Sequence, residues 1–174
     1  DEVGRRLRSS LDPGWRIVAV DGRDGGETEH PPSGYEPERF AADLLGIHDE
    51  LGRLPLTLVG HSRGAWLAAW IAERHPDRVE RLVLVDPARL TFASAADADR
   101  FYDWVRDGLG PFPTRDAALA WARSRDPEAD WSPARTRSFL HGLLERADGS
   151  LVGRLPPHVV EQLRAARERE DSVG

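Results

Sequence analysis

The residues of this chain best suited to chemistry lie at positions 60–64, which read Gly-His-Ser-Arg-Gly. An apolar segment at 56–59 precedes this run, and an apolar helical pattern follows it at 65–75. That order is typical of a sharp strand-to-helix turn, which lifts a serine hydroxyl above the carboxyl end of the strand. We therefore predict that Ser62 is a catalytic nucleophile and that the backbone N–H of Arg63 stabilises the oxyanion.

Two alternatives stand beside this interpretation. Ser62 could be an ordinary N-cap of the following helix, although capping explains neither glycine of the motif. The Arg63 side chain could bind a carboxylate or phosphate of a substrate, or it could pair with an acidic residue of a loop. We favour the loop pairing, and we keep Arg63 among the candidate substrate-binding residues.

The segments around the motif must position it, and they alternate between two periodicities. Short apolar runs at 16–20, 56–59 and 79–85 predict three strands. Helical patterns predict intervening helices; these fall at 2–11, 37–51 and 65–75. This alternation predicts an α/β fold with a doubly wound, mainly parallel sheet. Beyond residue 91 the pattern predicts helices only, with no strand; these span 96–109, 114–125, 132–146 and 156–169.

Composition excludes several classes of function. The 174 residues are 40% hydrophobic and 31% charged, with a net charge of -6, so neither a nucleic-acid partner nor a membrane span is expected. Cysteine is absent and all 24 basic residues are arginine, which excludes thiolate chemistry and a Schiff-base lysine. We expect a cytoplasmic protein that needs no metal or organic cofactor and acts on a small molecule.

Taken in order, several runs resemble the α/β-hydrolase superfamily, in its serine-nucleophile branch with a helical lid. The resemblance implies an α/β-hydrolase core over 1–90 and a lid over 91–170, inserted before the last two strands. It also implies a Ser-His-Asp/Glu triad and a second oxyanion donor from a His-Gly loop. The matching runs are Trp15-Arg16-Ile17-Val18-Ala19-Val20-Asp21, Phe40-Ala41-Ala42-Asp43-Leu44-Leu45, Leu58-Val59-Gly60-His61-Ser62-Arg63-Gly64-Ala65, His75-Pro76-Asp77-Arg78-Val79 and Leu82-Val83-Leu84-Val85-Asp86-Pro87.

Measured against that family, the chain departs at both ends and looks truncated there. It starts within the first helix, and it ends before the strands whose loops carry the usual acid and the histidine. None of its six histidines takes the triad position, so we expect the base beyond residue 174. We expect the remaining strands to come from the same polypeptide or a companion chain, because a sheet cut to three strands exposes apolar faces.

The resemblance also suggests further site residues. Asp86 ends a predicted strand at the sheet edge of Ser62, where a minority of the family places its triad acid. An aspartate before proline also commonly serves as a turn residue. We expect His61 to pack beside the motif, and we name it with Trp104 and His141 as candidate substrate contacts.

The function expected is acyl transfer through a Ser62 acyl-enzyme, acting on an ester, thioester or lactone as a hydrolase or an acyltransferase. The serine separates the chain from the epoxide-hydrolase and dehalogenase branches, which use an aspartate nucleophile. The alternative is a repurposed or non-catalytic protein of the same fold, such as a biosynthetic accessory protein. Homodimerisation is left open by the sequence.

Overall fold

Two parallel strands with a helix between them form the part of the fold that carries Ser62. The computed structural model describes residues 8–26, 28–87 and 94–171. We number its elements in chain order. They are α1 (Pro37–Glu50), β1 (Leu56–Ser62), α2 (Arg63–Arg74), β2 (Val79–Pro87), α3 (Ala95–Asp107), α4 (Arg115–Arg125), α5 (Pro133–His141), β3 (Leu143–Glu145), β4 (Leu151–Gly153) and α6 (Pro157–Asp171).

Strands β1 and β2 pair in parallel, with Leu58 opposite Leu82 and Val59 opposite Val83. Helix α2 connects them and packs on both, since parallel strands require a crossover. The α/β class expected from the alternating periodicities is thereby confirmed. Since both strands run the same way, their carboxyl ends meet at one edge of the sheet, where Ser62 and Pro87 are partners.

The predicted strand at 16–20 is absent, because residues 15–22 are neither helical nor strand-like in their hydrogen bonding. Apolar, β-branched sequence favours extended backbone, but a strand also needs a neighbour that supplies its ladder of hydrogen bonds. Within the described part of the chain, the sheet of Ser62 consists of β1 and β2. Of the helix predicted at 2–11, residues 8–10 are helical, and residues 1–7 lie outside the described residues.

The expectation of helices only beyond residue 91 is also wrong in one place. The predicted helix 132–146 ends at His141, and β3 then pairs antiparallel with β4. Gly149 adopts a φ of 82° in the turn that joins the two strands, directly after Asp148. An Asp-Gly pair between two short strands is a hairpin signal, and it outweighed the helical periodicity.

Two apolar clusters hold the described residues together. The first joins α1 and α2 to Val159 of α6, which is completely buried against them. The second lies farther along the chain, where Phe112, Ala118, Leu143 and Leu151 pack together. Because α6 belongs to the first cluster, it is packed against the core helices. The division of the chain at residue 90 stays a prediction.

The sheet itself is poorly covered within the described residues. Residues 82–85 of β2 are between 36% and 47% exposed although all four are leucine or valine, and Val59 of β1 is 57% exposed. That further strands of the sheet come from the same polypeptide or from a companion chain stays a prediction. None of the helices in the described ranges has both the length and the apolar character needed to cross a bilayer.

Candidate active site

Ser62 lies at the junction of β1 and α2, in a backbone conformation that side chains rarely adopt. Its φ is 53° and its ψ is -122°, while Arg63 already begins the helix. A turn this sharp brings the strand and the helix very close together. A Cβ added at Gly60 would overlap the carbonyl of Gly64 and lie 2.6 Å from the nitrogen of Ala65. Glycine at position 60 is therefore a steric requirement.

Gly64 has a different role from the one its place in the motif suggests. A Cβ at that position would meet no atom within 4 Å among the described residues. Its own backbone is what approaches Gly60. The close contact therefore explains the first glycine of the motif directly and the second only as its partner.

The Ser62 hydroxyl is not used to cap α2, although Ser62 is the N-cap residue. Three other helices, α3, α4 and α5, have Ser94, Thr114 and Ser132 as their N-cap residues. Each of these hydroxyls accepts a hydrogen bond from a backbone N–H of the first turn. The capping alternative for Ser62 therefore fails. Its hydroxyl remains available for another task, at the amino end of a helix where negative charge is stabilised.

A cavity of about 220 Å³ lies over this junction, with Ser62 and Arg63 in its wall. Most of the wall is apolar, and α3 and α6 supply much of it. The charged side chains in the wall are the guanidinium of Arg63 and the carboxylate of Asp24. The other lining residues are Tyr35, Pro37, Trp66, Phe101, Tyr102, Val105, Leu155, Val160, Leu163 and Ala166.

Arg63 forms a salt bridge with Asp24 through Nη2 and Oδ2. Its guanidinium carbon also lies 4.7 Å from the centre of the Phe40 ring, in a cation–π contact. Burial lowers the pKa of Arg63 to about 10. The charge of a nearby Tyr102 phenolate acts in the opposite direction, and at a pKa of about 10 the guanidinium carries its charge at neutral pH.

A second arginine–aspartate pair holds Asp24 in place. Arg23, its neighbour, donates from Nε and Nη2 to the two carboxylate oxygens of Asp43 on α1, each at 2.8 Å. Arg23 also donates from Nη1 to the carbonyl of Gly34 at 2.7 Å. Because this bidentate contact fixes the loop to α1, the next residue is directed towards Arg63 on α2.

Tyr35 lies at the end of the loop that contains Arg23 and Asp24, and its side chain is almost fully buried. Its hydroxyl donates to the carbonyl of Pro31 at 2.8 Å. Burial raises the pKa of Tyr35, so the phenol is neutral and contributes an apolar wall with one satisfied donor.

Asp86 is placed beside Ser62, as its position at the strand end predicted. The pairing of β1 with β2 skips from His61–Val85 to Ser62–Pro87, which leaves Asp86 as an extra residue in a bulge. Its φ is 43°, a conformation that aspartate tolerates better than most residues. Asp86 does not line the cavity, and its role as a triad acid stays a prediction.

The other predicted contacts lie outside the cavity wall. His61 is an exposed residue of β1, and His141 ends α5, where its carbonyl accepts from Arg154 at 2.7 Å. Trp104 stacks on Trp121 with ring centres 6.5 Å apart. Of the predicted residues, Ser62 and Arg63 line the cavity together, and the roles of His61, Trp104 and His141 stay predictions.

Sequence reasoning missed Asp24 and the aromatic wall of α3. Asp24 is one of several acidic residues in a loop rich in glycine, and its sequence does not single it out. The sequence analysis predicted a helix over 96–109 but did not single out Phe101 or Tyr102 as site residues. Among the described residues, no group of three or more histidine, aspartate or glutamate side chains could hold a metal ion.

The comparisons with known proteins agree with this geometry. A family model described as the alpha/beta hydrolase fold matches residues 3–159. Because this match covers most of the sequence, the chain belongs to the α/β-hydrolase family.

Three curated relatives are each similar over part of this chain. A mouse sn-1-specific diacylglycerol lipase is 44% identical over 73 residues, which are 42% of this chain and 24% of the lipase. Epoxide hydrolase 2 of Siraitia grosvenorii is 42% identical over 99 residues, or 56% and 30% of the two chains. The 2-(acetamidomethylene)succinate hydrolase of Mesorhizobium japonicum is 37% identical over 92 residues, or 53% and 33%.

Solved structures extend the likeness to nearly the whole chain. A crystal structure of E-2-(acetamidomethylene)succinate hydrolase superposes with a TM-score of 0.74 at 28% identity, covering 95% of this chain and 60% of that one. An α/β hydrolase of Novosphingobium aromaticivorans superposes with a TM-score of 0.66 at 21% identity, covering 88% and 55%, and shows the fold alone. The matched part of this chain thus spans a third or less of these curated relatives and 55–60% of these solved chains.

Proposed function

We propose that this protein is a serine hydrolase that cleaves a small ester, thioester or lactone through an acyl intermediate on Ser62. The observation that carries the proposal is that the Ser62 hydroxyl makes no capping hydrogen bond to its own helix. Ser62 lies at a strained strand–helix junction, and it lines an apolar cavity. Strain of this kind is retained where the surrounding structure and a function require it.

The chemistry follows from this placement. The Ser62 oxygen attacks the acyl carbon, its proton passes to a base, and the carbonyl oxygen becomes an oxyanion. The backbone N–H of Arg63 stabilises that oxyanion at the amino end of α2. The leaving group departs with a proton, and water then releases the acid and regenerates Ser62. We expect the base to be a histidine beyond residue 174.

The named relatives support hydrolysis as the reaction class. The three curated relatives are a lipase, an epoxide hydrolase and a hydrolase of 2-(acetamidomethylene)succinate. A serine at position 62 favours acyl chemistry in this chain, because its oxygen forms an ester with an acyl group. The cavity volume favours a small acyl group over a long lipid chain.

Labelling with a fluorophosphonate tests the nucleophile in the complete polypeptide. We expect the wild type to be labelled on the peptide that contains Ser62, and the Ser62→Ala variant to remain unlabelled. Ser94→Ala is the matched control, because it removes another N-cap hydroxyl and should leave labelling unchanged. An unlabelled wild type, or an equally labelled Ser62→Ala variant, would contradict the proposal.

A further inference from the structure

Arg63 is the cation in the cavity wall, and its contacts leave most of its hydrogen-bonding capacity unused. A guanidinium has five N–H donors. Among the described residues, one salt bridge, from Nη2 to Asp24, engages the Arg63 side chain, together with the face contact on Phe40. The side chain is still 29% exposed. The remaining donors are therefore accessible beside Ser62.

Arg78 provides a comparison, because its guanidinium is surrounded by more protein acceptors than that of Arg63. Arg78 lies at the opposite end of the strands, and its Nη2 alone contacts three acceptors: the carbonyl of Leu45, the ring of His48 and the carboxylate of Asp49. That side chain is 17% exposed and does not border the cavity of Ser62. Among the described residues, Arg78 thus contacts three protein acceptors, whereas Arg63 contacts one.

We propose that Arg63 binds a carboxylate carried by the substrate and thereby selects acidic acyl compounds for the Ser62 reaction. This inference rests on the proposed function. A planar guanidinium offers two parallel donors to a carboxylate, and an apolar wall strengthens such a contact. The cation–π contact with Phe40 holds the guanidinium plane in place when the substrate is absent.

Asp24 then acts as a resident competitor for the same cation. Its carboxylate neutralises Arg63 in the empty cavity and prevents an unpaired buried charge. A substrate carboxylate must share Arg63 with it or displace it in part. Removing the Asp24 charge should therefore strengthen the preference for an acidic substrate, whereas removing Arg63 should abolish that preference. A purely structural salt bridge predicts equal effects on acidic and neutral substrates from both changes.

The test compares two p-nitrophenyl esters that differ only in charge. One series is made of half-esters of dicarboxylic acids, from glutaric to suberic acid, and the other has the free carboxylate methylated. The quantity measured is the ratio of kcat/KM for the acidic ester to kcat/KM for its methylated counterpart, in the complete polypeptide. We expect that ratio to fall by roughly 10- to 100-fold in Arg63→Met, the value of one charge-assisted contact.

The Asp24→Asn variant should move the same ratio in the opposite direction, upward by roughly 3- to 10-fold. Asp49→Asn is the matched control, since it removes an aspartate that pairs with an arginine, Arg78, at the opposite end of the strands and does not line the cavity. We expect Asp49→Asn to leave the ratio unchanged. Asp24→Asn is also informative if Arg63→Met does not fold, because it preserves the shape of the side chain.

The outcomes separate this inference from the proposed function. A wild type labelled on Ser62, with a ratio unchanged by both Arg63→Met and Asp24→Asn, would overturn carboxylate recognition and leave the nucleophile intact. A parallel loss for both esters in both variants would also overturn it, as a structural pair predicts. An unlabelled Ser62 would instead remove the proposed function.

Discussion

The two ends of the β1–β2 pair each contain an inward-directed arginine paired with an aspartate, yet they differ in what else is present. At the amino end, Arg78 contacts Asp49, His48 and a backbone carbonyl, and these contacts join α1 to the start of β2. At the carboxyl end, Arg63 has Asp24 and an apolar cavity.

The difference between the two ends indicates that an arginine–aspartate pair can serve a structural role at one place and a functional role at another. The amino end satisfies its arginine with protein acceptors, although the Nε of Arg78 is buried without a hydrogen-bond partner among the described residues. The carboxyl end combines strained backbone, a serine hydroxyl that does not cap its helix, and guanidinium donors that no acceptor of the described residues engages. Several departures from local consistency thus coincide at the second end, as is expected of a site selected for chemistry.

The largest expected effect comes from breaking the carboxyl end at Gly60. In Gly60→Ala the new Cβ would overlap the backbone at the start of α2, so the strand and helix must separate. We expect the rate of fluorophosphonate labelling to fall at least about 100-fold, because the oxyanion donor moves with the helix. Chemical denaturation should also show a loss of about 3 kcal/mol in the free energy of unfolding.

Gly46→Ala provides the matched control for that change. Gly46 lies on the exposed face of α1, and an added Cβ there meets no atom within 4 Å among the described residues. Alanine is the better helix former, so the free energy of unfolding should rise by up to about 1 kcal/mol with no change in labelling. Equal labelling in the two variants would contradict the steric role of Gly60.

A smaller effect is expected at the amino end in Arg78→Met. This change removes the donor to the His48 ring and the cation beside the Asp49 carboxylate, so we expect unfolding to become easier by about 1–3 kcal/mol. The preference for acidic over methylated esters should not change, because Arg78 does not border the cavity. Urea denaturation and the ester ratio measure the two effects separately. A changed ratio would show that the two ends are coupled.

The smallest effect concerns pH. Burial lowers the pKa of Arg63 to about 10, so its charge is complete at neutral pH and declines as the pH rises through that value. We expect the preference for the acidic ester to stay constant from neutral pH until the pH approaches the pKa of Arg63. At a pH near 10 it should have fallen about twofold, because half of the guanidinium is neutral there. A preference that stays constant well above that pH would contradict this assignment.

Asp24→Asn sharpens the pH prediction. The Asp24 carboxylate favours the protonated form of Arg63, so its removal should shift the decline to lower pH. The measurement is the ratio of kcat/KM for the acidic ester to kcat/KM for the methylated ester, taken across the alkaline range in the wild type and in Asp24→Asn. An identical decline in the two would mean that Asp24 does not influence the Arg63 proton.

Local sequence determined the elements around the site. The apolar run before Gly60, the helix pattern after it and the strand ending at Pro87 all lie within a few residues of their predicted positions, because burial periodicity and the strand–helix turn are local properties. The predictions of a strand at 16–20 and of a helix continuing to 146 were wrong for two reasons. Strand formation depends on a neighbour distant in sequence, and the Asp148-Gly149 turn outweighed a helical pattern.

By itself, the sequence determined that Ser62 is the residue to examine, because the Gly-His-Ser-Arg-Gly run stands between an apolar strand pattern and a helical pattern. Tertiary structure decided what surrounds it. Asp24 lies 39 residues before Arg63, and its selection from several loop acids depends on the bidentate contact between Arg23 and Asp43. Similarly, α3 and α6 complete the cavity wall although both are distant in sequence from Ser62. Such contacts are set by packing in three dimensions, and no local pattern encodes them.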